Sequence, residues 1–253
     1  MENLNQITYN QYSIKIGKNC DIADDVIIGK NPKIGNNVRI CSGTIIGDNV
    51  KIYDGAIIGS DPQDLVYEND ILTQTIIGDN VTIREYVTIN RGSERTLKTV
   101  VGDNCYLMSY SHVSHDTILG DNVILANSVQ IGGNSVIEDF VFMGGGAVLH
   151  QKGRIGKHAM IGGGSVLNKD VLPFSTILGV NTTLIGVNIV GIKKNYDKEK
   201  INNIQNIFNK LKEEGLFSNK IKYIESLSTE ESQIICDFVK NNKRPLLLWE
   251  KKY

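Results

Sequence analysis

An aliphatic residue recurs at every sixth position along most of this chain. From Ile16 the step of six lands on Ile22, Ile28, Ile34, Ile40, Ile46, Ile52 and Ile58; after an interruption it runs through Ile77, Ile83 and Ile89. It restarts at Val101 and continues through Leu107, Val113, Leu119, Leu125, Ile131, Ile137, Met143, Leu149, Ile155, Ile161 and Leu167. Helices repeat at about 3.6 residues and strands at about two, so neither alone produces a period of six. A short strand followed by a tight turn does. Three such units close a triangular coil of eighteen residues, with the aliphatic residues inside and Gly, Asn and Asp supplying the turns. The pattern predicts a parallel β-helix, an all-β solenoid whose strands pair with those eighteen residues away around a continuous aliphatic column.

Two segments break the step. "GSDPQDLVYENDILTQTI" separates Ile58 from Ile77, and "NRGSERTLKTV" separates Ile89 from Val101, placing Arg95 where a core residue is due. These predict loops near 60–76 and 90–100, and insertions in a solenoid mark its binding face. The strict pattern ends near Pro173. Beyond it, "YDKEKINNIQNIFNKLKEEG" places Ile201, Ile204, Ile207, Phe208 and Leu211 at helical spacing with Gly215 as a stop. "TEESQIICDFVKNN" offers Thr229 as an N-cap and Ile234, Ile235, Phe238 and Val239 as an apolar face; "NKIKYIESL" predicts a short helix between them. The division expected is a β-helix over 1–190 and a C-terminal α-helical extension over 191–253.

Composition narrows the setting. The chain has 253 residues and a net charge of −1, which gives no general reason to expect nucleic acid. Residues 1–192 carry 14 Lys or Arg against 19 Asp or Glu, and residues 193–253 carry 13 against 9, so the tail is the basic end of an acidic chain. Cys20, Cys41, Cys105 and Cys236 share no metal-like spacing and no disulfide framework, which predicts a reduced, cytoplasmic protein. "MENLNQITYN" lacks a basic segment followed by an apolar run, and no transmembrane segment is expected.

The candidate chemistry lies in "HVSHDT", residues 112–117. The eighteen-residue coil stacks His115 under Gly133 and Gln151, Asp116 under Asn134, and His112 under Gln130, about 4.8 Å per layer. His150 follows the core position Leu149 and adjoins Gln151. A histidine on a rigid strand, oriented by a carboxylate, takes a proton from an alcohol near neutral pH. A backbone N–H at the glycine one coil away would stabilise the oxyanion formed when that alcohol attacks a thioester. His112 and His115 also fit two blander roles, a structural surface pair or half of a metal site, though the repeat supplies no third and fourth ligand.

"GSDPQDLVYE", "TIREYVTINRGS", "SHVSHDTILGDNVILANSVQIGG", "VLHQKGRIGKHAMIGGGS" and "GVNIVGIKK" together resemble the acyl-carrier-protein-dependent UDP-N-acetylglucosamine O-acyltransferases that begin lipid A synthesis. The likeness spans nearly the whole chain. It implies a left-handed β-helix, a homotrimer with active sites in clefts between subunits, and transfer of a 3-hydroxyacyl group from acyl carrier protein to the sugar 3-hydroxyl. His115 matches the family's general base, Asp116 its carboxylate partner and Gly133 its oxyanion donor. Asp64 matches a sugar-binding carboxylate. His112, His150 and Gln151 match the substrate cleft, Asn188 a nucleotide or pantetheine contact, and Gly163 the position that gauges acyl length. No permanently bound cofactor and no metal are implied, because the acyl group arrives on the phosphopantetheine of the carrier.

The chain also departs from the family's pattern. Val66 stands where a lysine is usual, Asn134 and Asn181 stand for histidines, and Val190 stands for a glutamate; Asn134 is kept as a candidate substrate contact. These changes favour acyl transfer over any one acceptor. Acylation of another nucleotide-linked amino sugar at N or O, with coenzyme A as a possible source of the thioester, is the rival enzyme reading. A noncatalytic or metal-binding β-helix is the non-enzymatic one. Lys193 and Lys194, at the end of "GVNIVGIKK", are candidates for steering an acidic carrier protein.

Overall fold

The computed structural model describes residues 15–67, 71–180 and 182–249. Among these, short parallel strands stack into three sheets of ten, eight and seven strands, the faces of a triangular prism. Partner strands are eighteen residues apart within the regular coils, as in Lys15 with Lys33 and His112 with Gln130. The offset widens to 31 residues across the first insertion, Lys51 with Thr82, and to 24 across the second, Thr88 with His112. The coil therefore resumes in phase on the far side of each loop, with strands Gln74–Ile77 and Lys98–Val101.

From Ile34 to Leu167 the sixth-position residues fill the prism interior and are essentially buried. Burying each such side chain stabilises by about 1.5–3 kcal/mol. The column opens at its start, where Ile16 is 36% exposed. Most coils turn through a corner residue in the left-handed region, and Asn31, Asn37, Asn49, Asn80, Asn104, Asn122 and Asn134 adopt φ between 55° and 58°. Asparagine tolerates that conformation better than branched residues do. At the corner between the seven- and ten-stranded faces, Asp48, Asp79, Asp103, Asp121 and Asp139 each accept a hydrogen bond from the backbone N–H one coil below, at 2.7–3.0 Å.

The outward columns of the faces differ. On the seven-stranded face Ile27, Ile45, Ile76, Val100, Ile118 and Val136 stand in register, an apolar stripe with Ile27 60% and Ile118 44% exposed. The ten-stranded face begins with Lys15, Lys33 and Lys51 and becomes apolar at Ile124, Phe142 and Met160.

The prism ends in a hairpin of Ser175–Leu178 with the antiparallel strand Thr183–Val187. Helices α1 (Ile189–Ile192), α2 (Lys198–Lys212), α3 (Phe217–Ser226) and α4 (Glu230–Lys240) follow. Asp197 caps α2 through its side chain, and Thr229 caps α4 in a reciprocal pairing with Ser232. α2 buries Ile204, Ile207, Phe208 and Leu211 of the face that its periodicity predicts, with Ile201 only partly buried. In α4, Ile235, Cys236 and Phe238 are buried, while Ile234 and Val239 are only partly so. Two arginines fasten this unit to the prism. Arg154 lies 4.2 Å from the Phe238 ring centroid, and Arg244 donates to the carbonyls of Gln151 and Asn168.

Candidate active site

His112 sits on a strand of the eight-stranded face, and His115 and Asp116 form the corner that follows. The stacking arithmetic is met in the backbone: Asn134 N–H donates to His115 O at 3.0 Å, and Lys152 N–H donates to Gly133 O at 2.8 Å. His115 Nδ1 pairs with Asp116 Oδ2 at 2.8 Å. Nδ1 therefore carries the proton toward the carboxylate and leaves Nε2 as the free base.

Asp116 is held from several sides. It accepts from Ser93 N–H at 2.8 Å, from Ser93 Oγ at 2.6 Å and from Thr96 Oγ1, and its own N–H donates to Thr99 Oγ1 at 2.9 Å. Burial alone would push its carboxyl up. The hydrogen bonds from His115, Ser93 and Thr96 outweigh that and hold it well below the ordinary carboxylate range. Its φ of 61° places both oxygens against the second insertion.

His115 itself is only 7% exposed. It lies at a corner, outside the aliphatic column, and the insertion tied to Asp116 closes that corner. Gly133 supplies the remaining room: a Cβ there would lie 2.7 Å from His115 Nε2. Gly133 N–H has no acceptor among the described residues. Along the aspartate corner the equivalent N–H is taken by a carboxylate from the next coil, whereas here the next-coil residue is Gln151, which makes no such bond.

The two insertions are pinned to each other. Arg91 N–H donates to Ser60 O at 2.8 Å and its guanidinium pairs with Asp61 at 2.7 Å; Arg95 pairs with Asp64 at 3.2 Å. A chain of contacts thus runs from Asp64 through Arg95 and Ser93 to Asp116 and His115. Sequence reasoning missed Ser93, Thr96, Thr99 and Arg95, because they lie on insertions whose lengths break the eighteen-residue alignment. It also missed Thr88, whose Oγ1 is 2.7 Å from His112 Nδ1, a neighbour 24 residues away. Burial, followed by the charge of His115, lowers the His112 pKa.

Other expected residues fall elsewhere. His150 and Gln151 are exposed on the same corner, with His150 Nδ1 3.1 Å from Gln151 O. Asn134 is the left-handed corner residue beside Gly133. Gly163 lies on a different corner, between the ten- and eight-stranded faces, stacked above Gly145. Asn188 donates its side-chain amide to His158 O at 2.9 Å and accepts from Gly191 N–H at 3.0 Å, capping α1. It borders a cavity of ≈ 820 Å³ on the ten-stranded face, lined also by Ile124, Phe140, Phe142, Met160 and Lys194. Lys193, Lys194, Val66 and Val190 are exposed, and Asn181 lies outside the described residues.

The fourth histidine supports that cavity from behind. His158 is buried, stacked 4.6 Å from Phe140 and 5.8 Å from Phe174, with Nδ1 lacking a partner among the described residues. Within one chain, then, the His115 corner and the cavity bordered by Asn188 stand apart.

Known proteins resemble this chain over most of its length. Residues 170–247 match the family described as Udp N-acetylglucosamine O-acyltransferase, Domain 2, and residues 25–60 and 98–133 match the bacterial transferase hexapeptide family. An acyl-(acyl-carrier-protein)–UDP-N-acetylglucosamine O-acyltransferase of Aquifex aeolicus is 54% identical over 188 residues, covering 72% of each chain. One from Campylobacter lari is 39% identical over 193 residues, 76% of this chain and 73% of the relative. Among solved structures, the UDP-N-acetylglucosamine acyltransferase of Francisella novicida aligns with a TM-score of 0.89 at 31% identity, covering 93% of this chain and 90% of that one. That of Campylobacter jejuni aligns at 0.87 and 32%, covering 94% and 96%. The solenoid is of their kind, a left-handed parallel β-helix. Among the described residues no helix is long and apolar enough to cross a membrane.

Proposed function

The chain belongs to the UDP-N-acetylglucosamine O-acyltransferase family, and on that premise we propose that it moves a 3-hydroxyacyl group from acyl carrier protein to the 3-hydroxyl of UDP-N-acetylglucosamine, the first step of lipid A synthesis. The observation that carries the chemistry is the His115–Asp116 pair packed beside Gly133, whose N–H has no acceptor among the described residues. His115 Nε2 removes the proton of the sugar hydroxyl as its oxygen attacks the thioester carbonyl. Gly133 N–H receives the charge on the carbonyl oxygen. Collapse expels the phosphopantetheine thiolate, which recovers the proton from the imidazolium. Asp116 keeps the proton of neutral His115 on Nδ1 and steadies the imidazolium while it lasts. The carrier brings the acyl group, so no resident cofactor is required.

A homotrimer completes the site in this reading. The apolar stripe on the seven-stranded face asks to be covered, since contiguous exposed apolar surface marks an interface. Turning that face toward a threefold axis sets the His115 corner of one chain against the ten-stranded face of the next. The cavity beside Asn188 and Phe142 would then adjoin the base, with Lys193 and Lys194 near the mouth for an acidic carrier. Asp64 would read the sugar, with His112, Asn134, His150 and Gln151 lining the cleft between. The four cysteines are free, in keeping with a cytoplasmic setting.

Transfer assays with a panel of donors and acceptors test the proposal. Acyl-carrier-protein thioester with UDP-N-acetylglucosamine should give an ester at the 3-hydroxyl. Turnover only with an amino-sugar nucleotide, or only with coenzyme A thioester, would replace the substrate assignment.

A further inference from the structure

Three lysines stand where folding of a single chain gives no reason for them. Lys15, Lys33 and Lys51 occupy successive layers of the ten-stranded face in exact register, about 4.8 Å apart, beside a groove of ≈ 390 Å³ that Tyr53 also lines. None has an ion pair among the described residues. Like charges on adjacent strands repel, so the ladder costs stability unless something negative meets it.

A complementary charge lies in the same coil. Asp24 is exposed on the corner between the eight- and seven-stranded faces, the corner that carries His115 several layers on, and it too has no partner among the described residues. In the assembly proposed above, this corner of one chain faces the ten-stranded face of the next, so Asp24 meets the level of Lys15 and Lys33. We propose that the Lys15–Lys33–Lys51 ladder docks on the Asp24 corner of a second copy of this chain and limits axial slip between subunits; the inference rests on the trimer reading.

The apolar stripe cannot set that register. Its residues repeat every coil, so sliding one chain by a layer of about 4.8 Å keeps aliphatic against aliphatic. A heterologous contact with a repeated axial slip does not close and grows into an open filament. Charges confined to the first coils limit the slide, because Asp24 loses its contact once it passes Lys15 at one end of the ladder or Lys51 at the other.

Sedimentation velocity across a concentration series tests this, with circular dichroism to confirm that the β-helix persists. Wild-type protein should be trimeric. The triple variant Lys15→Glu, Lys33→Glu, Lys51→Glu should raise the concentration of half-dissociation by about tenfold or give heterogeneous larger species. Adding Asp24→Lys to it should restore the trimer. Asp24→Lys alone should weaken the wild-type assembly similarly, which keeps the test open if the triple variant folds poorly. A wild-type monomer would overturn the trimer reading itself. A trimer that all variants leave unchanged would overturn only the lysine ladder, as would variants that lose carrier-protein binding while remaining trimeric.

Discussion

Gly133 leaves His115 its position: a methyl group on the glycine would lie 2.7 Å from Nε2. Gly133 has no left-handed φ to preserve, so alanine is conformationally allowed and the clash falls on the imidazole. Gly133→Ala should keep its N–H and the fold while moving the base. Turnover should fall by about 10²-fold or more with an unchanged melting temperature, and His115→Ala should fall at least as far. A fully active Gly133→Ala would remove the glycine from the mechanism.

Asp116→Asn tests the partner of the base. Asparagine accepts the φ of 61° and still accepts from Ser93, but its amide now donates toward His115 Nδ1. The ring proton shifts to Nε2 and the base is lost, so turnover should drop by about 10²–10⁴-fold. Stability supplies a second readout. The folded carboxyl lies below its ordinary value of 3.8, so its contribution is present above that pH and fades as the acid limb descends through the folded value. Asp116→Asn should be less stable than wild type by about 1–3 kcal/mol at pH 7, and the gap between the two melting temperatures should begin to shrink below about pH 3.8.

Arg95→Met isolates the bridge between insertions. The Arg95–Asp64 pair is partly exposed at 3.2 Å, so its loss should cost under about 1 kcal/mol. Freed of its partner, Asp64 should grip the acceptor less well. The expected result is a several-fold rise in KM for the sugar nucleotide with kcat near wild type. Equal losses in kcat and kcat/KM would instead place the pair in the chemical step.

The period of six made the prism and the stacking of His115 on Gly133 readable from the sequence, and helical spacing did the same for the tail, because each depends on residues at fixed offsets. Where offsets break, legibility ends. Thr88 meets His112 across 24 residues and Ser93 meets Asp116 across 23, distances set by insertion length alone. Asn188 shows the other limit: sequence marks an amide, and only packing reveals that His158 O and Gly191 N–H engage it. The apolar stripe was present in the sequence one residue before each core position of the seven-stranded face from Ile28 to Ile137. Adjacent aliphatic pairs such as Ile27–Ile28 read equally as part of the core until the coil assigns one of them outward.

Gly163→Met addresses acyl length. The glycine is exposed, and among the described residues the near neighbour for a Cβ is Gly145 O at 3.1 Å, so a side chain enters with a small shift and projects from the corner. If an acyl chain follows the eight-stranded face toward that corner, methionine should shorten the preferred chain by several carbons without lowering turnover on the shorter donor. An unchanged preference would free Gly163 of that role.

His158 gives a pH signature separate from catalysis. Burial, then the charge of Lys157, lowers its pKa from 6.5 to about 4. Between those values the unfolded chain binds a proton that the folded chain refuses, so stability must fall as pH drops from about 6.5 toward 4. The shift corresponds to about 3 kcal/mol at most. Phenylalanine already occupies the equivalent stacked corner positions, Phe140 and Phe174, at φ of 60° and 64°, and His158 has φ of 59°. His158→Phe should therefore fold with the same stack, spare the unpartnered Nδ1 its burial, and flatten the melting temperature across that interval. A variant whose stability still declines with the wild-type slope would assign the acid sensitivity to another group.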